Sequence, residues 1–136
     1  MRKVEKACPI VIRTSDGGLQ VLAFVHPTAG KQFVKGTIEL CESPERAAER
    51  ELREESGLAA PSPLSYLGTC AIGAERQPWH FFTYRAAGLP DTWRHETQDD
   101  HGHIFTFFWH SLDMPPDHGW DPIFREAFDF FAPLLS

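Results

Sequence analysis

The chain has no uninterrupted apolar run long enough to cross a bilayer, which excludes a helical membrane span. It has no excess of positive charge. The formal net charge is −6 over 136 residues, which argues against a protein that grips a nucleic-acid backbone over a broad surface. Cysteine is scarce: Cys8, Cys41 and Cys70 are three, an odd number and far apart. They form neither a zinc pattern nor a disulfide framework, so reduced thiols in a cytoplasmic protein are expected. The first ten residues, MRKVEKACPI, hold no apolar segment of signal-peptide length. There are no repeats and no low-complexity stretch. With 42% hydrophobic and 24% charged residues, residues 1–136 read as one globular domain, long enough for a core.

What the chain does have is concentrated between Gly36 and Leu58, GTIELCESPERAAERELREESGL. Ser43 is suited to N-cap a helix and Pro44 to begin it, and Gly57 can end it in the left-handed conformation. Between them nearly every residue is Ala, Leu, Glu or Arg, all strong helix formers. This predicts a helix over about 44–56. On it Glu51, Glu54 and Glu55 share one face, while Arg46, Glu49 and Arg53 point to solvent. Ala47, Ala48 and Leu52 can pack on a sheet. Three carboxylates at i, i+3 and i+4 repel one another, at a cost in stability. Arg50 can bridge to Glu54 one turn on. A hard divalent ion, Mg²⁺ or Mn²⁺, would offset the remainder through carboxylate oxygen. A merely solvated, salt-bridged helix is the alternative for any Glu/Arg-rich segment.

The full spacing decides between these. Gly36, five residues, Glu42, seven residues, Arg50-Glu51-Leu52, one residue, Glu54-Glu55, one residue, Gly57-Leu58 resembles the signature of the Nudix (MutT-like) hydrolases at every defined position. The resemblance implies an α/β fold: an α/β/α sandwich around a mixed sheet, with the signature helix and a C-terminal helix at about 121–134. It implies a hydrolase that cleaves a pyrophosphate bond in a nucleoside diphosphate linked to another moiety, with Mg²⁺ or Mn²⁺. Glu51, Glu54 and Glu55 would hold metal, Arg50 would orient them, and Glu54 or Glu55 would serve as base. Glu42 would make an outer contact to the metal, and the backbone carbonyl of Lys35 would join the ligands. The Lys35-Gly36 pair is similar to the diadenosine and diphosphoinositol polyphosphate branches. Cys41 stands where many relatives carry glycine. A non-catalytic nucleotide sensor is the alternative, but such domains usually lose signature glutamates, and this chain keeps them.

The rest of the chain is less specific. Strands are expected at Val4–Arg13, Leu19–His26, Gln32–Val34, Thr37–Leu40, Leu64–Ile72, Pro78–Arg85 and His103–Leu112, the last lying inside the sheet. Cys8 and Cys41 are expected to be packing residues. Residues 86–102 form a polar loop of the kind that carries function. Glu96, Asp99 and Asp100 are candidates there for a further acidic group, each equally readable as solvated. Trp93 could stack on a base or cap the core. Lys31, Lys35, Trp79 and Asp100 are candidate substrate contacts. Asp121 and Pro122 open the C-terminal helix, whose Ile123, Phe124, Ala127, Phe128, Phe130, Phe131 and Leu134 should pack on the sheet or, alternatively, form a homodimer contact. At positions 73–76 the chain reads Gly-Ala-Glu-Arg, without the proline of ADP-ribose relatives or the tyrosine of diadenosine polyphosphate relatives. A small nucleotide-type substrate is expected, but not which one.

Overall fold

The computed structural model describes residues 3–61, 63–98 and 102–135. Eight strands form one mixed sheet: β1 (Lys6–Ser15), β2 (Gly18–His26), β3 (Gly30–Gln32), β4 (Gly36–Thr37), β5 (Ser65–Ile72), β6 (Gln77–Arg85), β7 (Trp93–Glu96) and β8 (Ile104–Ser111). Helix α1 (Pro44–Ser56) follows β4, and α2 (Pro122–Phe131) closes the chain with a 3₁₀ turn at Ala132–Leu134. The sheet order is β5-β6-β1-β2-β8-β7, with β3 added to β2 and β4 to β1. Among the described residues, the ladder of β1 with β6 is parallel and the other ladders are antiparallel.

The period of two along β1 builds both sides of the core. Cys8, Ile10 and Ile12 join Trp79, Phe81 and the α2 residues Phe124, Ala127, Phe128 and Phe131 in one buried cluster. Val11 points the other way, to Leu22, Phe24, Phe107 and Leu52 of α1. Ala7 joins Ala47 and Ala48 there. The helices therefore cover opposite faces, giving the expected sandwich. Burial of several aromatic side chains per face, at roughly 25 cal/mol per Å² of apolar area, supplies most of the drive to fold.

Both caps of α1 follow the sequence expectation. The Ser43 hydroxyl accepts from the Arg46 amide, Pro44 occupies the first turn, and Gly57 adopts φ 81°. Asp121 caps α2 in the same way, accepting from Ile123. The aromatic residues of α2 are consumed internally: Phe33 meets Trp120, Phe124, Phe128 and Phe131. A dimer contact is not needed to account for them.

Three expectations are corrected. The third strand is Gly30–Gln32, not Gln32–Val34, because Phe33 and Val34 leave the ladder to fill the core. The Thr37–Leu40 strand shrinks to Gly36–Thr37, and Leu40 is 73% exposed. Residues 86–102 contain a strand, β7, which pairs with β8. Cys8 is buried as expected, and burial pushes its thiol pKa up. Cys41 is exposed and holds φ 65°. A left-handed residue with a Cβ is strained by about 1–2 kcal/mol. Among the described residues, no helix is long and apolar enough to cross a membrane.

Cys41→Gly should therefore stabilise the protein. The relieved strain exceeds the roughly 0.5–1 kcal/mol of extra chain entropy that glycine loses. A rise in the denaturant midpoint, worth up to about 1 kcal/mol, is expected. A lower midpoint would contradict the strain.

Candidate active site

The site grows from the junction of β4 and α1. Backbone pairing of Ala7 with Gly36 sets the end of β4 beside β1. Leu52, Ala47 and Ala48 then press α1 onto the sheet with no solvent exposure. That orientation turns Glu51 and Glu55 towards the chain at Lys35 and Gly36. A Cβ on Gly36 would lie 1.9 Å from Glu51 Cδ, so no larger residue fits while Glu51 holds its place. The glycine that opens the spacing is there to admit a carboxylate.

Arg50 organises what surrounds it. Its Nε donates to Glu42 Oε2 at 2.8 Å and its Nη2 to Glu42 Oε1 at 3.0 Å, a two-pronged pair. Nη1 donates to Glu51 Oε1 at 2.7 Å and to Glu54 Oε2 at 3.3 Å. Nη2 also reaches the Thr37 carbonyl at 3.0 Å. Glu39, which the spacing does not mark, comes within 3.4 Å of Nε. The bridge from Arg50 to Glu54 exists as expected, yet the shorter contacts are to Glu42 and Glu51. Glu42 does more than neutralise: its Oε1 accepts the Glu39 amide at 3.0 Å and fixes the turn before α1. The hydrogen bonds from Arg50 hold its carboxyl below the usual carboxylate range. The same contacts, Glu42 first, keep the guanidinium firmly charged.

Glu55 is outside this clamp. Burial, and then the charge of Glu51, push its carboxyl pKa well up. The charge and backbone of Lys35 oppose that shift only in part. Its Oε1 is buried with no hydrogen-bond partner. A buried carboxylate oxygen without a donor is costly. It is the kind of group that a bound cation would satisfy, and an all-oxygen set suits Mg²⁺ or Mn²⁺. Among the described residues, no three His, Cys, Asp or Glu side chains already converge as a metal cage. Glu51 and Glu54 are instead turned to Arg50.

The other candidates separate. The Lys35 ammonium lies 5.7 Å from the Trp79 ring and 5.6 Å from Phe124, near enough to act on Glu55. Lys31 lies over Phe108 at 5.7 Å; its neighbour Gln32, not Lys31, borders the cavity next to the carboxylates. Trp79 is corrected: it is 2% exposed and packs in the core under α2, away from the cavity bordered by Glu54 and Glu55. Asp99 and Asp100 lie outside the described residues. Glu96 is exposed on β7, where alternation sends it away from Trp93 and His95. Those two bind the end of α1. Trp93 Nε1 donates to the Ser56 carbonyl at 3.1 Å, and His95 Nε2 meets the Glu54 carbonyl at 3.1 Å. They satisfy carbonyls that a helix end leaves open. Trp93 also stacks on Phe107 at 5.1 Å, so it caps the core.

The sequence reading missed the cavity of about 230 Å³ that Glu54 and Glu55 border together with His26, Gln32, Thr97, His103 and Phe105. Nothing in their spacing marks these residues; the β2–β3 and β2–β8 pairings assemble them.

A NUDIX domain family model matches residues 5–130. The chain belongs to the NUDIX domain family. Among solved structures it is similar to the NUDIX domain of Shewanella oneidensis NrtR complexed with ADP ribose, at 15% identity and TM-score 0.69, covering 100% of this chain and 90% of that one. The MutT protein of Methanosarcina mazei Go1 matches at 15% identity and TM-score 0.64, over 98% and 96%. A C. elegans Ap4A hydrolase matches at 19% and TM-score 0.58, over 80% and 81%. At these identities the likeness is one of fold. A comparison with curated proteins finds no match. Membership of this family, with MutT and hydrolase neighbours, supports a pyrophosphohydrolase.

The unsatisfied Glu55 makes a signed prediction for the metal-free protein. Its folded pKa lies above the unfolded value of about 4.3. The cost of Glu55 is absent below that unfolded value and grows as pH rises towards the folded one. Glu55→Gln should therefore melt at a higher temperature than the native chain at pH 7 in chelator, and the gap should close near pH 4. An equal gap at both pH values would contradict the buried-acid assignment.

Proposed function

We propose that this NUDIX protein hydrolyses a pyrophosphate bond in a nucleoside diphosphate joined to a further phosphate or another moiety, with Mg²⁺ or Mn²⁺. The observation that carries the reading is the carboxylate set itself: Glu51 in the Gly36 cradle, Glu54 beside it, and Glu55 with a buried oxygen that no protein donor meets. Glu51, Glu54 and Glu55 would hold the metal, with the Lys35 backbone carbonyl as a further ligand and Glu42 an outer contact. When bound, the divalent ion would neutralise the diphosphate and make water more acidic.

The chain's own groups do the rest. Arg50 keeps Glu51 and Glu54 at a fixed spacing by donating to both. Glu54 or Glu55 takes the proton of the attacking water. Lys35 offers a positive charge near the diphosphate, a point charge rather than a fork. Substitution at phosphorus asks mainly for positioning and dispersal of charge, and a rigid helix on a packed sheet supplies positioning. Free thiols at Cys8, Cys41 and Cys70 are in keeping with a reducing, cytoplasmic setting.

The test is a substrate panel with Mg²⁺ or Mn²⁺: nucleoside triphosphates, ADP-ribose, dinucleoside polyphosphates, nucleotide sugars and NADH. At least one should be cleaved at a pyrophosphate bond, and Glu54→Gln should lower turnover by about 100-fold or more while the melting midpoint holds. Binding without turnover across the panel would favour a sensor instead. Full activity in Glu54→Gln would remove that residue from the mechanism.

A further inference from the structure

We infer that the cavity beside Glu54 and Glu55 is a seat for a phosphate group, in which Gln32 and His103 donate to the anion and His26 positions His103. The inference rests on the metal-dependent reading above, because two carboxylates on one wall repel an anion unless a cation stands between them. The cavity holds about 230 Å³, below the roughly 300–1,000 Å³ of pockets that enclose whole small-molecule ligands. It has room for a phosphate or diphosphate group. Besides the carboxylates the lining holds the polar side chains His26, Gln32, Thr97 and His103, each with an N–H or O–H donor, and Phe105. A lining that combines these donors with two carboxylates suits a phosphate bridged to a cation.

The placement is built by strand pairing. Phe24 pairs with Gln32 and His26 with Gly30, so the β2–β3 hairpin sets Gln32 on the rim. Val25 pairs with Thr106, which brings the start of β8 and His103 alongside. His26 is held by its own turn: Nδ1 accepts the amides of Thr28 at 3.0 Å and Ala29 at 3.1 Å. An Nδ1 that accepts two amides puts the neutral ring's proton on Nε2 and fixes the ring. That ring lies 4.8 Å from His103 at 49° and 5.2 Å from Phe105, so His103 is seated against a fixed surface. Gln32 and His103 are the contacts to the anion; His26 acts through His103.

The probe is methylenediphosphonate, a diphosphate that cannot be hydrolysed, titrated by calorimetry in Mg²⁺. The native chain should bind it. Gln32→Met and His103→Leu should each weaken binding about tenfold or more, the scale of one hydrogen bond to a charged group. His26→Asn keeps an acceptor for the turn amides and should weaken binding less. Combined with His103→Leu it should add nothing, as expected for a residue that works through its neighbour. Affinity unchanged in both Gln32→Met and His103→Leu, or no binding by the native chain, overturns the seat. Should a variant melt early, imidazole nitrogen shifts of His103 in the native chain decide the point: they must move on titration, and fixed shifts overturn it. Binding lost in the variants with no turnover on any substrate would sink the catalytic reading and leave the seat standing. Turnover with unchanged affinity would do the reverse.

Discussion

The structure depends on how one arginine meets a crowd of carboxylates. Glu42, Glu51 and Glu54 converge on the guanidinium of Arg50 at 2.7–3.3 Å. Like charges this close would otherwise push the helix face apart, since unscreened repulsion at contact distance reaches several kcal/mol in a half-buried setting. A lysine could not replace Arg50. The site needs a planar fork that reaches Glu42 with two nitrogens and Glu51 with a third. Because Glu42 also ties down the Glu39 amide, the clamp fixes the loop before α1 as well as the helix.

The clamp stops short of Glu55, and that limit matters. Every other carboxylate in the cluster has a donor within the protein, whereas one Glu55 oxygen is buried without one. A small domain could remove this cost by placing glutamine there. Keeping the acid lowers the stability of the metal-free state and leaves an oxygen for a cation. The closely packed Gly36 opens β4, and the strained Cys41 lies on the connection from β4 to α1. Such local compromise is not confined to the site: Arg76 also holds a left-handed φ of 54°, and Trp79 Nε1 and Arg125 Nε are buried without partners.

Much of this was legible from local rules. The Ser43-Pro44 start and Gly57 stop place α1, and Asp121-Pro122 places α2, because caps depend on neighbours in sequence. Long apolar strands such as β2 and β8 were equally plain. Less legible was β7: Trp-Arg-His-Glu is short and polar, and its two inward residues are recruited by the open carbonyls of α1. Trp79 misled for a related reason. An aromatic residue on a strand can serve a ligand or a core, and only the packing of α2 decided for the core.

The sequence by itself determined the family, the signature helix and the chemistry of its acidic face, because a helix places residues three and four apart on one side whatever surrounds it. It also marked Arg50 and Gly36, though not why Gly36 is needed. Tertiary structure alone decided that Glu51 occupies the space over Gly36, that Glu55 is buried and lacks a donor, and that His26, Gln32 and His103 share a cavity with Glu54 and Glu55. Those relations span strands far apart in the chain. They arise from register and burial, which local spacing does not encode.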